Sequence, residues 1–143
     1  MKEMGVCVGI DFTGKCDRTP NTVLAHCLLY HALQTKGAAV QDKLCEILFR
    51  AYFTDGIYPD VDNLATLAAE VGLDQEEVRR VLTSGKHEEQ VVREATSYAS
   101  SGVSGVPFFI INGTPAFSGA QDAASFVRAF ETMGAIEAPS QGT

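Results

Sequence analysis

The stretch "GVSGVPFFIINGTPAFSGAQ", Gly102 to Gln121, decides how the chain is read. Its run Phe108-Phe109-Ile110-Ile111 is apolar without alternation, the pattern of a strand covered on both faces rather than one wetted by solvent. Asn112-Gly113 is the favoured pair for a tight hairpin turn, so "PAFSG" is expected to return as an edge strand. Directly ahead of the first strand stands Pro107, which has no N–H to give to a ladder. Such a proline either opens a strand in the trans form or sits in a cis bond after Val106. The residues alone leave both open.

Upstream, helical periods dominate. "KHEEQVVREATSYASSG" sets Val91, Ala95, Tyr98 and Ala99 on one face and closes at Gly102. "PNTVLAHCLLYHALQTKG" places Leu24, Leu28 and His31 at helical spacing beside Val23 and Cys27, with Asn21 or Thr22 as cap and Gly37 as stop. Val40, Leu44, Ile47, Leu48, Ala51 and Tyr52 give a second helix that ends near "TDG" and packs antiparallel to the first. Two short helices follow: "DVDNLATLAAEVGLD", with Leu64, Leu67, Ala68 and Val71 inward and Gly72 as stop, and "DQEEVRRVLTSG", opened by Asp74 and Glu77 in capping-box spacing. Beyond the hairpin a last helix starts near Asp122, carries Phe126, Val127, Phe130 and Met133, and stops at Gly134. Residues 135–143 are expected to be a disordered tail. A hairpin with one covering helix is marginal by itself, so either Val6 to Ile10 joins the sheet or another chain does.

The 143 residues fit one domain, and 45% hydrophobic residues suffice for a core. A net charge of −7 argues against nucleic-acid or anionic-membrane partners, which need clustered Lys and Arg. The start "MKEMGVCVGIDF" holds too brief an apolar run for a signal peptide or a membrane span, which points to a cytoplasmic protein.

None of the cysteines, Cys7, Cys16, Cys27 and Cys45, forms a C-x-x-C pair or a zinc-type spacing, and no metal or resident cofactor is expected. Cys27 and Cys45 fall at apolar helical positions and read as buried thiols; Cys7 and Cys16 are freer to react. His26 reads as a helix histidine hydrogen-bonded between packed helices, although an imidazole suits proton transfer. His31 shares a face with Cys27, but no third group is visible to orient such a pair. His87, after "SGK", is placed in solvent, and Asp55 and Asp60 are turn and capping residues.

"GVPFFIING" followed by "SGAQ" and an amphipathic helix, and preceded by "PNTVLAH" and "LFRAYFTDG", resembles the DsbA-type thioredoxin superfamily, nearest to its FrnE and 2-hydroxychromene-2-carboxylate isomerase branch. The motifs stand in the family's order over about Pro20 to Met133. The resemblance implies an α/β thioredoxin-like fold of DsbA type, predominantly helical, in a single domain over 1–134. An all-helical insertion would occupy about 20–102 and the strand-strand-helix part about 106–134. It implies that the Val106-Pro107 bond is cis and that Gly105, Val106 and Pro107 form a loop facing a peptide or thiol substrate. Glutathione is implied as a possible co-substrate; the unpaired edge and apolar faces of so small a sheet separately predict self-association, as a homodimer. The family's opening βαβ half with its C-x-x-C has no counterpart before Pro20, so that half is expected to be missing or incomplete. Cys7, Cys16 and His26 are the weak catalytic candidates that remain. Dithiol activity is therefore doubtful, a peptide-binding scaffold is the first alternative, and a glutathione-dependent isomerase, which needs one nucleophile, is the second.

Overall fold

The computed structural model describes residues 2–103 and 105–134, so the tail expected at 135–143 lies outside the described residues. In chain order it holds α1 (Lys2–Val6), α2 (Val23–Lys36), α3 (Ala38–Phe49), a π-helical turn (Arg50–Asp55), α4 (Val61–Ala69), α5 (Gln75–Thr83), α6 (Glu88–Ser100), β1 (Phe108–Ile111), β2 (Thr114–Ser118) and α7 (Ala123–Thr132). Contacts divide the chain into two compact units, Met1–Glu94 and Ala95–Thr143.

In the first unit α2 packs on α3, α4 and α5. Leu28, Leu44, Leu64 and Val78 are each fully buried and form the core with Cys27, Ala32, Ala65, Ala68, Leu73 and Leu82. Removing a leucine or valine side chain from water contributes about 1.5–3 kcal/mol, so these four residues dominate the unit's stability. Caps fix the helix starts. Asp60 accepts from the Asn63 N–H at 2.9 Å and Asp74 from the Glu77 N–H at 2.7 Å. At α2 the Asn21 side chain accepts from the Val23 N–H at 3.0 Å, while Thr22 occupies the N-cap position without a side-chain bond.

The expected second helix changes character midway. After Phe49 it widens into the π turn, an arrangement in which some backbone groups lose their ordinary helical partners. The segment ahead of α2 takes them up. The Thr13 N–H donates to the Phe53 carbonyl at 3.1 Å and its hydroxyl to the Thr54 carbonyl at 2.7 Å, while the Thr54 hydroxyl donates to the Asp11 carbonyl at 2.9 Å. Further along, the Tyr52 hydroxyl donates to the Arg18 carbonyl at 3.1 Å, and the Arg18 guanidinium lies 3.8 Å over the Tyr58 ring. Gly56 closes the turn at φ 80°, and a Cβ there would come within 2.5 Å of the Lys15 Cβ. Only glycine meets both demands.

Val6 to Ile10 does not join a sheet, which corrects one alternative. Lys2–Val6 is helical, and the Val8 and Ile10 N–H groups both return to the Gly5 carbonyl, at 3.0 and 2.9 Å. Gly9, at φ 78°, is the stop that permits this ending. Donors committed to a helix end are not available to a ladder.

In the second unit β1 and β2 form a two-stranded antiparallel sheet. Asn112 and Gly113 have φ of 50° and 76°, both positive as a type I′ turn requires. Pairing runs Ile111 to Thr114 and Ile110 to Pro115, then resumes at Phe109 to Phe117, leaving Ala116 as the extra residue of a bulge. The strand expected to be covered on both faces is not: Ile111 is buried but Ile110 is 50% exposed. Its apolar run reflects one face against the Phe109, Phe117, Phe126 and Phe130 cluster, whose ring centroids lie 4.8–6.2 Å apart, and another face open among the described residues. The Asn112 side-chain amide donates to the Met133 carbonyl at 3.0 Å and so ties the hairpin tip to the end of α7.

Candidate functional site

The loop before β1 is built by its neighbours. Gly102 ends α6, and the Pro107 carbonyl accepts from the Gly119 N–H at 2.8 Å, which fixes where the hairpin begins. Gly105, Val106 and Pro107 are all exposed, Val106 to 88%. The Val106-Pro107 peptide bond is cis. No described residue hydrogen-bonds the main chain of Val106, and the edge of β1 away from β2 is unpaired among the described residues. An extended chain laid there would find a row of backbone donors and acceptors.

The first unit has its own concavity, a cavity of about 320 Å³ between α2, α3 and the π turn. Exposed His26 stands on its wall with Leu29, Cys45, Tyr52 and Phe53. Half-buried Cys16 lines a neighbouring cavity, also about 320 Å³, that shares the Tyr52 and Phe53 rings. His26 and Cys16 are thus near the same two aromatic rings in separate hollows. Cys7 is exposed, on neither wall, with its thiol directed to the Glu3 carbonyl at 3.5 Å. Cys16 likewise donates to the Arg18 carbonyl at 3.5 Å.

All four cysteines are free. Burial pushes the Cys27 and Cys45 thiols up, with Glu88 adding to the first and Glu46 and Asp42 to the second. Both therefore stay protonated and unreactive at neutral pH, as their apolar positions imply. Among the described residues no group of three or more His, Cys, Asp or Glu is placed to hold a metal ion.

Two side chains do more than their spacing indicates. His87, expected in solvent, is half-buried, its ring 5.1 Å from Tyr30 and 5.7 Å from His31. Its position after a Lys and before two Glu makes it look solvated, whereas the turn after α5 folds it back onto α2. Glu77, expected only as a capping-box partner, brings its carboxylate to 3.6 Å from His31 Nε2. A charged residue at the third position of a short helix was the one available signal, and it is ambiguous.

The family model of the DSBA-like thioredoxin domain matches residues 1–131, nearly the whole chain and well ahead of Pro20. The chain belongs to that family and has its DsbA-like thioredoxin fold. Among solved structures it is similar to a probable DsbA oxidoreductase from Streptomyces coelicolor, at 28% identity and a TM-score of 0.79, over 99% of this chain. This chain spans 61% of that protein's length. No curated protein matches significantly. The family as a whole belongs with the thiol–disulfide oxidoreductases. Among the described residues no helix is long and apolar enough to cross a membrane.

Proposed function

We propose that the chain serves thiol–disulfide exchange as the part that holds the substrate, with Gly105, Val106 and Pro107 pairing to the backbone of an extended peptide or of glutathione. The observation that carries this is the unpartnered, 88% exposed Val106 beside an open edge of β1. Strand addition at such an edge takes affinity from main-chain bonds and tolerates varied side chains, which suits a protein acting on many peptides. Turnover by this chain alone is low, because no thiol sits beside a second that resolves the mixed disulfide. A non-catalytic peptide holder of the FrnE branch is therefore the second reading, favoured by the raised thiols of Cys27 and Cys45. A cytoplasmic setting and a homodimer that leaves the β1 edge open fit both.

Val106→Pro removes the backbone donor, while Val106→Ala keeps it and changes only an exposed side chain. Titrating glutathione and unfolded insulin B chain should show Val106→Ala binding like the parent and Val106→Pro binding about tenfold more weakly, the scale of one net hydrogen bond. Equal affinity of all three proteins removes the role assigned to the loop. Insulin reduction in the same assay separates an oxidoreductase from a holder, and aromatic isomerisation with glutathione would mark the isomerase.

A further inference from the structure

His31 and His87 belong to neither concavity, and their surroundings are unusual for ionisable groups. His31 is 3% exposed on α2. His87 immediately precedes α6 and packs in tilted contact with Tyr30 and His31, with ring centroids at 5.1 and 5.7 Å. Its Nε2 is buried and has no hydrogen-bond partner among the described residues. A neutral imidazole bears an unmet acceptor there at modest cost, but a protonated ring would bury an unmet charged donor.

We propose that His31 and His87 form an acid-sensitive latch: two uncharged rings hold the start of α6 against α2 at neutral pH, and taking up protons frees it. The charged groups around the pair favour this. From α5, Glu77 reaches His31 Nε2 at 3.6 Å but is half exposed, and among the described residues no carboxylate is paired with His87. From the turn after α5, Lys86 opposes a positive charge on either ring. From α2, Tyr30 contributes only its ring, and Glu88 at the head of α6 acts on Cys27. One exposed acid therefore faces two imidazoles and a lysine.

Burial holds both rings below the ordinary imidazole value. For His31, Lys86 adds to this and Glu77 acts against it; for His87, His31 and Lys86 add to it. An unfolded histidine titrates near 6.5, so between that pH and the lower folded values the unfolded chain binds more protons than the folded one. The latch is intact above about pH 6.5 and is lost progressively as pH falls below it. Val91, whose N–H donates to the His87 carbonyl at 3.0 Å and whose side chain packs on the core, reports the hinge directly.

Amide exchange of the full chain, corrected for the chemical rate, tests this at pH 7.5 and 5.5. Protection of the Val91 amide should drop about tenfold on acidification, the equivalent of one pH unit of differential proton binding. The Leu28 amide, in the centre of the core, should keep its protection. His87→Gln, which cannot take up a proton, should flatten the Val91 response, and His26→Gln, the histidine outside the pair, should leave it in place. Proton NMR titration of the parent protein's rings decides the matter if the variant does not fold. Both rings titrating at 6.5 or above, an unchanged response in His87→Gln, or equal losses at Val91 and Leu28 would each overturn the latch.

Discussion

The helical unit and the hairpin unit satisfy the same requirement by different means. Between Met1 and Glu94, four large side chains, one on each of α2 to α5, are fully buried. Among the described residues between Ala95 and Gly134 only Ile111 is buried, at 9% exposure, and neither α6 nor α7 has a buried residue. There the structure rests on four half-buried phenylalanines in edge and tilted contact and on two tethers, Asn112 to Met133 and Gly119 to Pro107. Volume filling makes a unit self-sufficient, whereas ring contacts worth about 0.5–1.5 kcal/mol each make one that is ordered but readily opened. The binding role proposed for the loop at Gly105 to Pro107 suits the second kind of support, because elements that rearrange on binding come from the low-stability end of a fold.

That contrast can be broken at the core first. Leu28→Ala should cost about 2–5 kcal/mol and shift the main unfolding transition followed by far-ultraviolet circular dichroism in urea. Phe126→Ala, at the centre of the ring cluster, should instead leave that transition nearly in place and abolish amide protection in β1 and β2. If Phe126→Ala lowers the midpoint as far as Leu28→Ala, the two units melt as one and the contrast fails. Gly56→Ala, which places a methyl against Lys15 and strains a positive φ, should lose about 2 kcal/mol and loosen the Thr13 strap, seen as faster exchange at the Thr13 amide. Asn112→Ala should cost about 1 kcal/mol, confined to the hairpin, since it removes the Met133 bond and a residue suited to left-handed backbone. Unaltered hairpin protection in that variant would mean the tether contributes nothing.

Much of the fold was legible because its signals are local. The helix spacings, the Asp74 cap, the Asn-Gly turn and the Gly102 stop depend on residues within a turn of one another, and each appears where the periodicity puts it. The motif order from "PNTVLAH" to "SGAQ" carried the family. Non-local features were not legible. Thr13 looks like an ordinary turn residue, and only its bonds to Phe53 and Thr54, some forty positions on, reveal a strap. His87 looked solvated for the same reason: its neighbours in sequence are charged, while its neighbours in space are Tyr30 and His31. The run Phe108 to Ile111 misled in the opposite sense, since apolar composition alone does not say what covers Ile110.

The bulge at Ala116 and the proline beside it give the hairpin a direction. Thr114 turns its polar backbone toward Ile111 across the hairpin, so Pro115, the next residue, offers its donor-less nitrogen outward, and the irregular step at Ala116 twists β2 further from a flat template. A strand arriving from outside thus meets one missing donor and an irregular step along β2 that β1 does not present. That asymmetry makes β2 the poorer template of the two for edge-to-edge stacking.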